Sequence, residues 1–380
     1  MKRNWEEVKL GKILKYREGI PDAEKIASGE IPIISKISFS NGKINLRNDG
    51  VTNTKLIRVL PNDLVISGIN AEKGAVSLND FNKEITATIH YSAYYPAGEQ
   101  ADLKYIFYYL KSAVFQHYLK FKIANGIKTE LKPKRFLDLS IPLPSLKEQQ
   151  SIILKIEKVK TKLDEIKRLK IEQNKDINNL LFSKYTDIIE SAELLPMKEV
   201  APIHRRQVKV NPEETYFEIG VRSFGRGLFE NPSFKGLDLT WQKPFWMKEG
   251  DLLFSNIKAW EGAVGLIPKK YDGWVGSHRY LTCLPNLEII NPLYLFYYFR
   301  TFEGVEKLSA ASPGTVDRNR TLSTKLLHQI SIPVPALELQ EEFVSLLKNV
   351  EVIKEQYTQT EKELTELMPS LLDKAFKGEL

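Results

Sequence analysis

The chain has 380 residues, 42% hydrophobic and 27% charged, which is ordinary for globular protein and enough for two or more domains. Its one cysteine, Cys283, excludes an internal disulfide and any cysteine-cluster zinc site, and it fits a reducing cytoplasm. No apolar run has the 18 or so residues of a membrane helix, the N-terminal Met-Lys-Arg-Asn-Trp-Glu-Glu has no apolar core of a signal peptide, and the net charge of +7 is uneven. Residues 1–145 carry +7, 146–190 +2, 191–335 +3 and 336–380 −5, counted as Lys and Arg less Asp and Glu. Positive charge therefore gathers on two segments, as in a binder of polyanions.

In chain order, Val8-Lys-Leu-Gly11 opens a first segment. Ile31-Pro-Ile-Ile34 and Lys55-Leu-Ile-Arg-Val-Leu60 alternate as strands do. Asp63 to Ile66 reads as a short buried strand, followed by a polar loop, Ser67 to Lys73, and a Gly-Ala-Val strand. Leu103–Phe121 reads as one helix, with Tyr105, Phe107, Tyr108 and Leu110 as core. A basic loop, Ala124 to Arg135, comes next, and then Ile141-Pro-Leu-Pro, whose prolines force extended backbone.

Leu146 to Ile189 reads as a long helix. Ile152, Ile156, Val159, Leu163 and Ile166 form one narrow apolar seam, which resumes at Ile177 and Leu180 after the polar steps Lys170 and Gln173. About 40 helical residues make a rod of roughly 60 Å.

The remainder repeats this plan. Met197-Lys-Glu-Val200 opens a second segment, and Asn62 to Val76 matches Gly250 to Val264 at an offset of 188. At that offset His90 falls on His278. Tyr105-Ile-Phe-Tyr-Tyr-Leu-Lys111 matches Tyr294-Leu-Phe-Tyr-Tyr-Phe-Arg300, and Ile141-Pro-Leu-Pro-Ser-Leu146 matches Ile332-Pro-Val-Pro-Ala-Leu337. Leu180-Leu181 match Leu371-Leu372. Pro292–Phe302 reads as the helix corresponding to Leu103–Phe121, and Ser312 to Arg320 as the second basic loop. Phe343, Leu346, Val350, Ile353, Tyr357, Thr360, Leu364, Leu367 and Leu371 make a second heptad helix, with Pro369 starting a separate short helix near its end. The chain is thus a tandem duplication. Its expected segments are 1–145 and 191–335, both globular, and 146–190 and 336–380, both helical.

Catalytic motifs are missing. There is no P-loop, no Gly-x-Gly-x-x-Gly opening a helix, and no His pair at metal-ligand spacing. The three Asn-Pro dipeptides lack the Pro-aromatic continuation with which an adenine methyltransferase holds its flipped base, and Pro21-Asp22 has no Glu-x-Lys for a nuclease. What remains are polar and basic groups on the duplicated loops. The first segment has Asn70, Lys73, His90, Tyr91, Asn125, Lys128, Lys132, Lys134 and Arg135. In the second these are Arg222, Arg226, Asn256, Lys258, Trp260, His278, Arg279, Arg318, Asn319 and Arg320. Such groups bond base edges and anchor phosphates. Taken singly, each lysine reads equally well as a solvated surface charge, and each histidine as a hydrogen-bonded structural residue.

Two globular units, each followed by a long helix entered through Ile141-Pro-Leu-Pro-Ser-Leu-Lys-Glu-Gln149 or Ile332-Pro-Val-Pro-Ala-Leu-Glu-Leu-Gln340, resemble the specificity subunits of type I restriction–modification systems. The loops after Asp63 and Asp251 and the ending Leu371 to Leu380 are also similar to that family. The resemblance implies an α+β fold with two target-recognition domains and two helices packed as an antiparallel coiled coil. It also implies a non-catalytic, cytoplasmic DNA-binding subunit reading a bipartite asymmetric site in double-stranded DNA. The helices would set the spacing of the half-sites and dock methyltransferase subunits, with motor–nuclease subunits joining for cleavage. Cofactors would be absent from this chain, S-adenosylmethionine, ATP and Mg belonging to the partners. Two other readings stay open on the residues alone: a protein–protein scaffold with two ligand-binding domains, and an enzyme with a cryptic site.

Overall fold

A computed structural model describes residues 5–49, 52–123, 130–239, 243–314 and 319–379. The fold is α+β, in two compact units. The first comprises residues 1–171 together with 357–380, and the second residues 172–356.

The first unit holds two four-stranded sheets. One runs, in spatial order, Leu14–Tyr16, Tyr91–Pro96, Leu64–Ser67 and Val76–Leu78, all antiparallel. The other runs Ile44–Arg47, Ile33–Ile37, Ile85–Thr88 and Leu56–Val59. The second unit keeps the first of these plans in Val264–Leu266, Leu252–Ser255 and Tyr280–Cys283, and breaks the rest into small sheets and hairpins. In both, a short ladder closes the repeat: Glu6–Lys9 pairs with Ser140–Leu143, and Glu193–Pro196 with Ser331–Val334. This ladder makes Leu10, not Val8, the counterpart of Met197. Each opens a four-residue helix directly after its strand.

The aromatic stretches are broken helices. Leu103–Lys111 and Ala113–Ile123 are separated at Ser112, whose backbone is extended. Its hydroxyl donates to the Tyr109 carbonyl at 2.6 Å and accepts from the Phe115 amide at 3.2 Å, so one side chain ends one helix and caps the next. In the second unit Pro292–Tyr298 and Phe302–Ala310 are parted likewise, with the Thr301 hydroxyl accepting from Gly304. Tyr105, Tyr108 and Leu110 are buried core, as their pattern predicts, while Phe107 packs against that core only partly buried.

The long helices are continuous, Leu146–Ile189 and Leu337–Phe376. Pro369 lies inside the second and starts no new one. A helical proline costs roughly 3 kcal/mol, which burial of Leu372, Ala375 and Phe376 in the first unit's core outweighs. That core also takes Ile152 and Ile156 from the head of the central helix. In the second unit the tail of the central helix supplies Leu181 and Tyr185, which meet Phe343 and Leu347 from the head of the C-terminal helix. Head meets tail in each unit, the order of an antiparallel pair. At the tails Ile177 and Leu371 keep the heptad seam, but Leu181 and Met368 pack inward in place of Leu180 and Leu367, which are exposed. A straight helix drifts from the heptad phase, and here the globular core, not only the other helix, decides which face is covered.

Two glutamines fix the helix entrances. Gln149 Nε2 donates to the carbonyls of Pro144 (2.8 Å) and Gln100 (3.1 Å), and its Oε1 accepts from the Asp102 amide (2.8 Å). Gln340 makes the same three bonds, to Pro335 (2.7 Å), Ile289 (2.9 Å) and Asn291 (2.8 Å). Both are fully buried, and each ties its long helix to the start of the aromatic helix.

Candidate nucleic-acid interface

Each repeat builds its polar loops on one buried strand. Before Leu64–Ser67, the Asp63 carboxylate accepts from Arg17 Nε and Nη2 (2.9 and 2.7 Å) and from the Leu60 amide (2.8 Å). Before Leu252–Ser255, Asp251 accepts from Arg206 Nη1 and Nη2 (2.6 and 3.2 Å) and the Lys248 amide (3.0 Å). Both carboxylates are buried, so the paired arginine and the amide together satisfy an otherwise costly charge. After the strand comes a single 3₁₀ turn, Ala71–Lys73 or Ala259–Glu261, ended by a left-handed glycine, Gly74 (φ 79°) or Gly262 (φ 72°).

Backbone bonds then join two further loops to the loop that carries this turn. The Gly68 amide donates to the His90 carbonyl (2.7 Å), and the Leu131 amide to the Gly68 carbonyl (2.9 Å). In the second unit the Asn256 amide donates to Arg279 (2.7 Å) and the Leu322 amide to Asn256 (2.8 Å). The structure thereby gathers Asn70, Lys73, His90, Tyr91 and Lys132 in one repeat. In the other it gathers Asn256, Lys258, Trp260, His278, Arg279 and Arg320. This arrangement corrects one expectation. Ser67 pairs with Tyr91 and Ser255 with Tyr280, so the counterpart of His90 is Arg279, not His278.

Individual groups differ in freedom. His90 Nδ1 lies 3.0 Å from Glu130 Oε1, and Lys132 pairs with Oε2 of the same carboxylate. The Lys132 bond, foremost, holds Glu130 below the usual carboxylate range. The Asn70 backbone carbonyl serves the turn by accepting from the Lys73 amide (3.0 Å), and Tyr91 is half-buried against the second sheet. Lys73 is exposed, as are Lys134 and Arg135 on the short helix Pro133–Leu137. Lys258 Nζ and the Arg320 guanidinium flank the Trp260 ring at 5.0 and 4.7 Å. Arg320 also bonds the Ser309 carbonyl (2.8 Å) and hydroxyl (2.7 Å) and the Ser312 carbonyl (3.2 Å), which makes it the anchor of its loop. Arg222 stands over Phe229 at 4.9 Å and Arg226 over Phe224 at 5.4 Å. Arg279 and Asn319 are exposed. Asn125, Lys128 and Arg318 lie outside the described residues.

One group escapes sequence reasoning. A cleft of about 320 Å³ is lined by Glu218, Asn231, Ser255, His278, Arg279 and Tyr280, among others. Glu218 accepts from Asn231 Nδ2 at 3.1 Å, and burial raises its pKa. A carboxylate beside basic groups offers an acceptor for a cytosine amino group. Nothing in its local sequence marks it, because the cleft is made by strand pairing. Among the described residues no group of three or more His, Cys, Asp or Glu is placed to hold a metal, and no helix is long and apolar enough to cross a membrane.

Residues 2–174 match the family model described as the type I restriction modification DNA specificity domain. The type I restriction enzyme MjaVIII specificity subunit of Methanocaldococcus jannaschii is 25% identical over 97% of this chain and 92% of its own length. The putative MjaX specificity subunit of the same organism is 30% identical over 26% of this chain and 24% of its own. A solved chain from work on complex assembly and conformational transition of the type I R-M system shares the fold, with a TM-score of 0.71, 19% identity and full coverage of both chains. The HsdS subunit from Thermoanaerobacter tengcongensis does so at 0.60 and 20%, over 99% of this chain and 97% of that one. By its sequence motifs, its duplicated fold and these relatives, the chain resembles the specificity subunits of type I restriction–modification systems, and its residues 2–174 carry the DNA specificity domain of that family.

Proposed function

We propose that the chain is the non-catalytic DNA-reading subunit of a type I restriction–modification complex, each repeat recognising one half of a bipartite, asymmetric site. The observation that carries this reading is the duplicated cluster of three loops, built on the same buried strand and turn but bearing different side chains. In that division, segments 1–145 and 191–335 are the recognition domains, and helices 146–190 and 336–380 set the spacing and dock methyltransferase subunits. Half-sites one turn apart lie roughly 35 Å from each other, within the span of helices of this length. Adenine methylation with S-adenosylmethionine, and ATP- and Mg-dependent cleavage, fall to the partners, in the cytoplasm. Lys73, His90, Lys132, Arg222, Arg226, Lys258, Trp260, His278 and Arg279 are the groups best placed to meet DNA. Asn70, Tyr91, Lys134, Arg135, Asn256, Asn319 and Arg320 support or flank them, and Asn125, Lys128 and Arg318 belong to the same basic loops.

The test is modified-base mapping of DNA from cells expressing this chain with its methyltransferase subunit. A split motif carrying N6-methyladenine, absent without the chain, is the expected result. Unmodified DNA beside a partner shown to be active with another specificity subunit refutes it. Affinity should also fall steeply with salt, as phosphate contacts require.

A further inference from the structure

Both repeats carry a second short motif, Ser38-Phe-Ser-Asn-Gly42 and Ser223-Phe-Gly-Arg-Gly227. Each forms the tip of an antiparallel hairpin, between Ile33–Ile37 and Ile44–Arg47 in one unit and between Ile219–Val221 and Leu228–Glu230 in the other. The closing glycines, Gly42 (φ 73°) and Gly227 (φ 77°), take the left-handed backbone the turn requires.

In both units the tip is fastened to the 3₁₀ turn of the polar loops. Lys111 Nζ donates to the carbonyls of Phe39 (2.5 Å) and Gly74 (3.0 Å). The Phe224 amide donates to the Glu261 carbonyl (2.8 Å) and the Gly225 amide to that of Gly262 (3.3 Å). The fastened backbone leaves the aromatic rings outside: Phe39 is 41% exposed and Phe224 66%. A cation accompanies each, Lys73 Nζ at 6.0 Å from the Phe39 ring and the Arg226 guanidinium at 5.4 Å from that of Phe224.

A single exposed apolar residue needs no explanation. The same residue at the same point of two diverged repeats, held beside the loops that bear the polar groups, does. Phe224 also sits at φ 60°, a conformation that glycine or asparagine would adopt at less cost.

We propose that Phe39 and Phe224 are specificity residues, each laying its ring against base edges of its own half-site, where a thymine 5-methyl group is the apolar partner. That methyl is the apolar group the major groove displays. The proposal rests on the reading of the chain as a two-part DNA reader. Lys73 and Arg226 then sit where they reach phosphate beside the contacted base.

The experiment uses the chain assembled with its methyltransferase subunits, as wild type, Phe39→Ala and Phe224→Ala. Binding is measured on duplexes bearing the methylated motif, with thymine or deoxyuridine in one half-site at a time. Wild type should lose about tenfold when the contacted thymine loses its methyl, a discrimination in the ordinary range for a base contact. Each variant should lose a similar factor on the thymine duplex and become indifferent to deoxyuridine in one half-site only, a different half for each. The salt slope should stay at its wild-type value in both, because no phosphate contact is removed, and Lys73→Met should lower it. Unchanged melting temperatures establish that the exposed rings are not structural. Wild-type affinity and motif in both variants, or equal losses on specific and random DNA, overturn the proposal. A wild-type complex with no sequence preference on any duplex would instead overturn the two-part reading itself, and this proposal with it.

Discussion

Replacing Gln149 by Met tests whether one side chain locks the central helix to its repeat. Methionine has nearly the same length and volume, so packing is kept while three hydrogen bonds are lost, those at 2.8, 2.8 and 3.1 Å. Each is worth about 1 kcal/mol net, and a buried group left unpaired costs about 1–3 kcal/mol. The glutamine is fully buried, so water does not replace it, and the expected loss is about 3 kcal/mol. Native-state hydrogen exchange reads this directly: the Asp102 amide, whose acceptor is Gln149 Oε1, should lose roughly a hundredfold in protection, since about 1.4 kcal/mol is tenfold. Urea unfolding should lose a similar amount for the first unit only. Gln340→Met should transfer the whole effect to the Asn291 amide and the second unit. Protection changed by less than fivefold in either variant would refute the idea that these glutamines hold the helix entrances.

Other perturbations have equally definite outcomes. Phe376→Ala removes a buried ring set edge-on to Tyr105 and Tyr109, with centroids at 5.5 and 5.2 Å; it should cost about 3–5 kcal/mol and lower the melting temperature of the first unit, although it lies at the far end of the sequence. Pro369→Ala should raise stability by about 1–3 kcal/mol, since it restores a helical hydrogen bond, and a lower melting temperature would mean the packing depends on the proline. Asp251→Ala strands the Arg206 guanidinium and should destabilise the second unit by about 3 kcal/mol in urea unfolding. Burial holds Lys111 down to about 8 from an ordinary 10.5. Between those values the unfolded chain binds more protons, so this residue's contribution to stability rises with pH across that window. Wild type should gain on Lys111→Met from pH 8 to 10.5, and a flat difference would contradict it.

The duplication, the helix entrances and the positions of the polar loops were all legible in the sequence, because identical local chemistry recurs in order. The glutamine of each Pro-x-Pro entrance was visible as a motif, but two of its three bonds reach about fifty residues back and have no local signature. The His90–His278 match failed because strand pairing sets the register, and one extra residue before Tyr280 moves Arg279 into the place of His90. The aromatic helices read as unbroken because Ser112 and Thr301 are unremarkable mid-helix residues until their hydroxyls are seen capping the next turn. Pro369 misled in the opposite sense: a local helix breaker was overruled by tertiary burial. The Asp63–Arg17 and Asp251–Arg206 pairs recur at separations of 46 and 45 residues, too far apart for any local motif to mark them. The two Ser-Phe-x-x-Gly tips are too short to stand out before their hairpins are placed.

The closure of the first unit by Leu372, Ala375 and Phe376 has a consequence for biosynthesis. Residues 1–171 leave the ribosome first, yet part of their core arrives only with residues 357–380. At about 5–20 residues per second the nascent first unit waits roughly 10–40 s with an apolar socket around Tyr105 and Tyr109 uncovered. The second unit suffers no such delay, since the central helix tail that fills its core is made before it. Translation order thus sets a kinetic asymmetry between two halves that are structurally alike, and chaperone dependence or aggregation during overexpression should fall on the first.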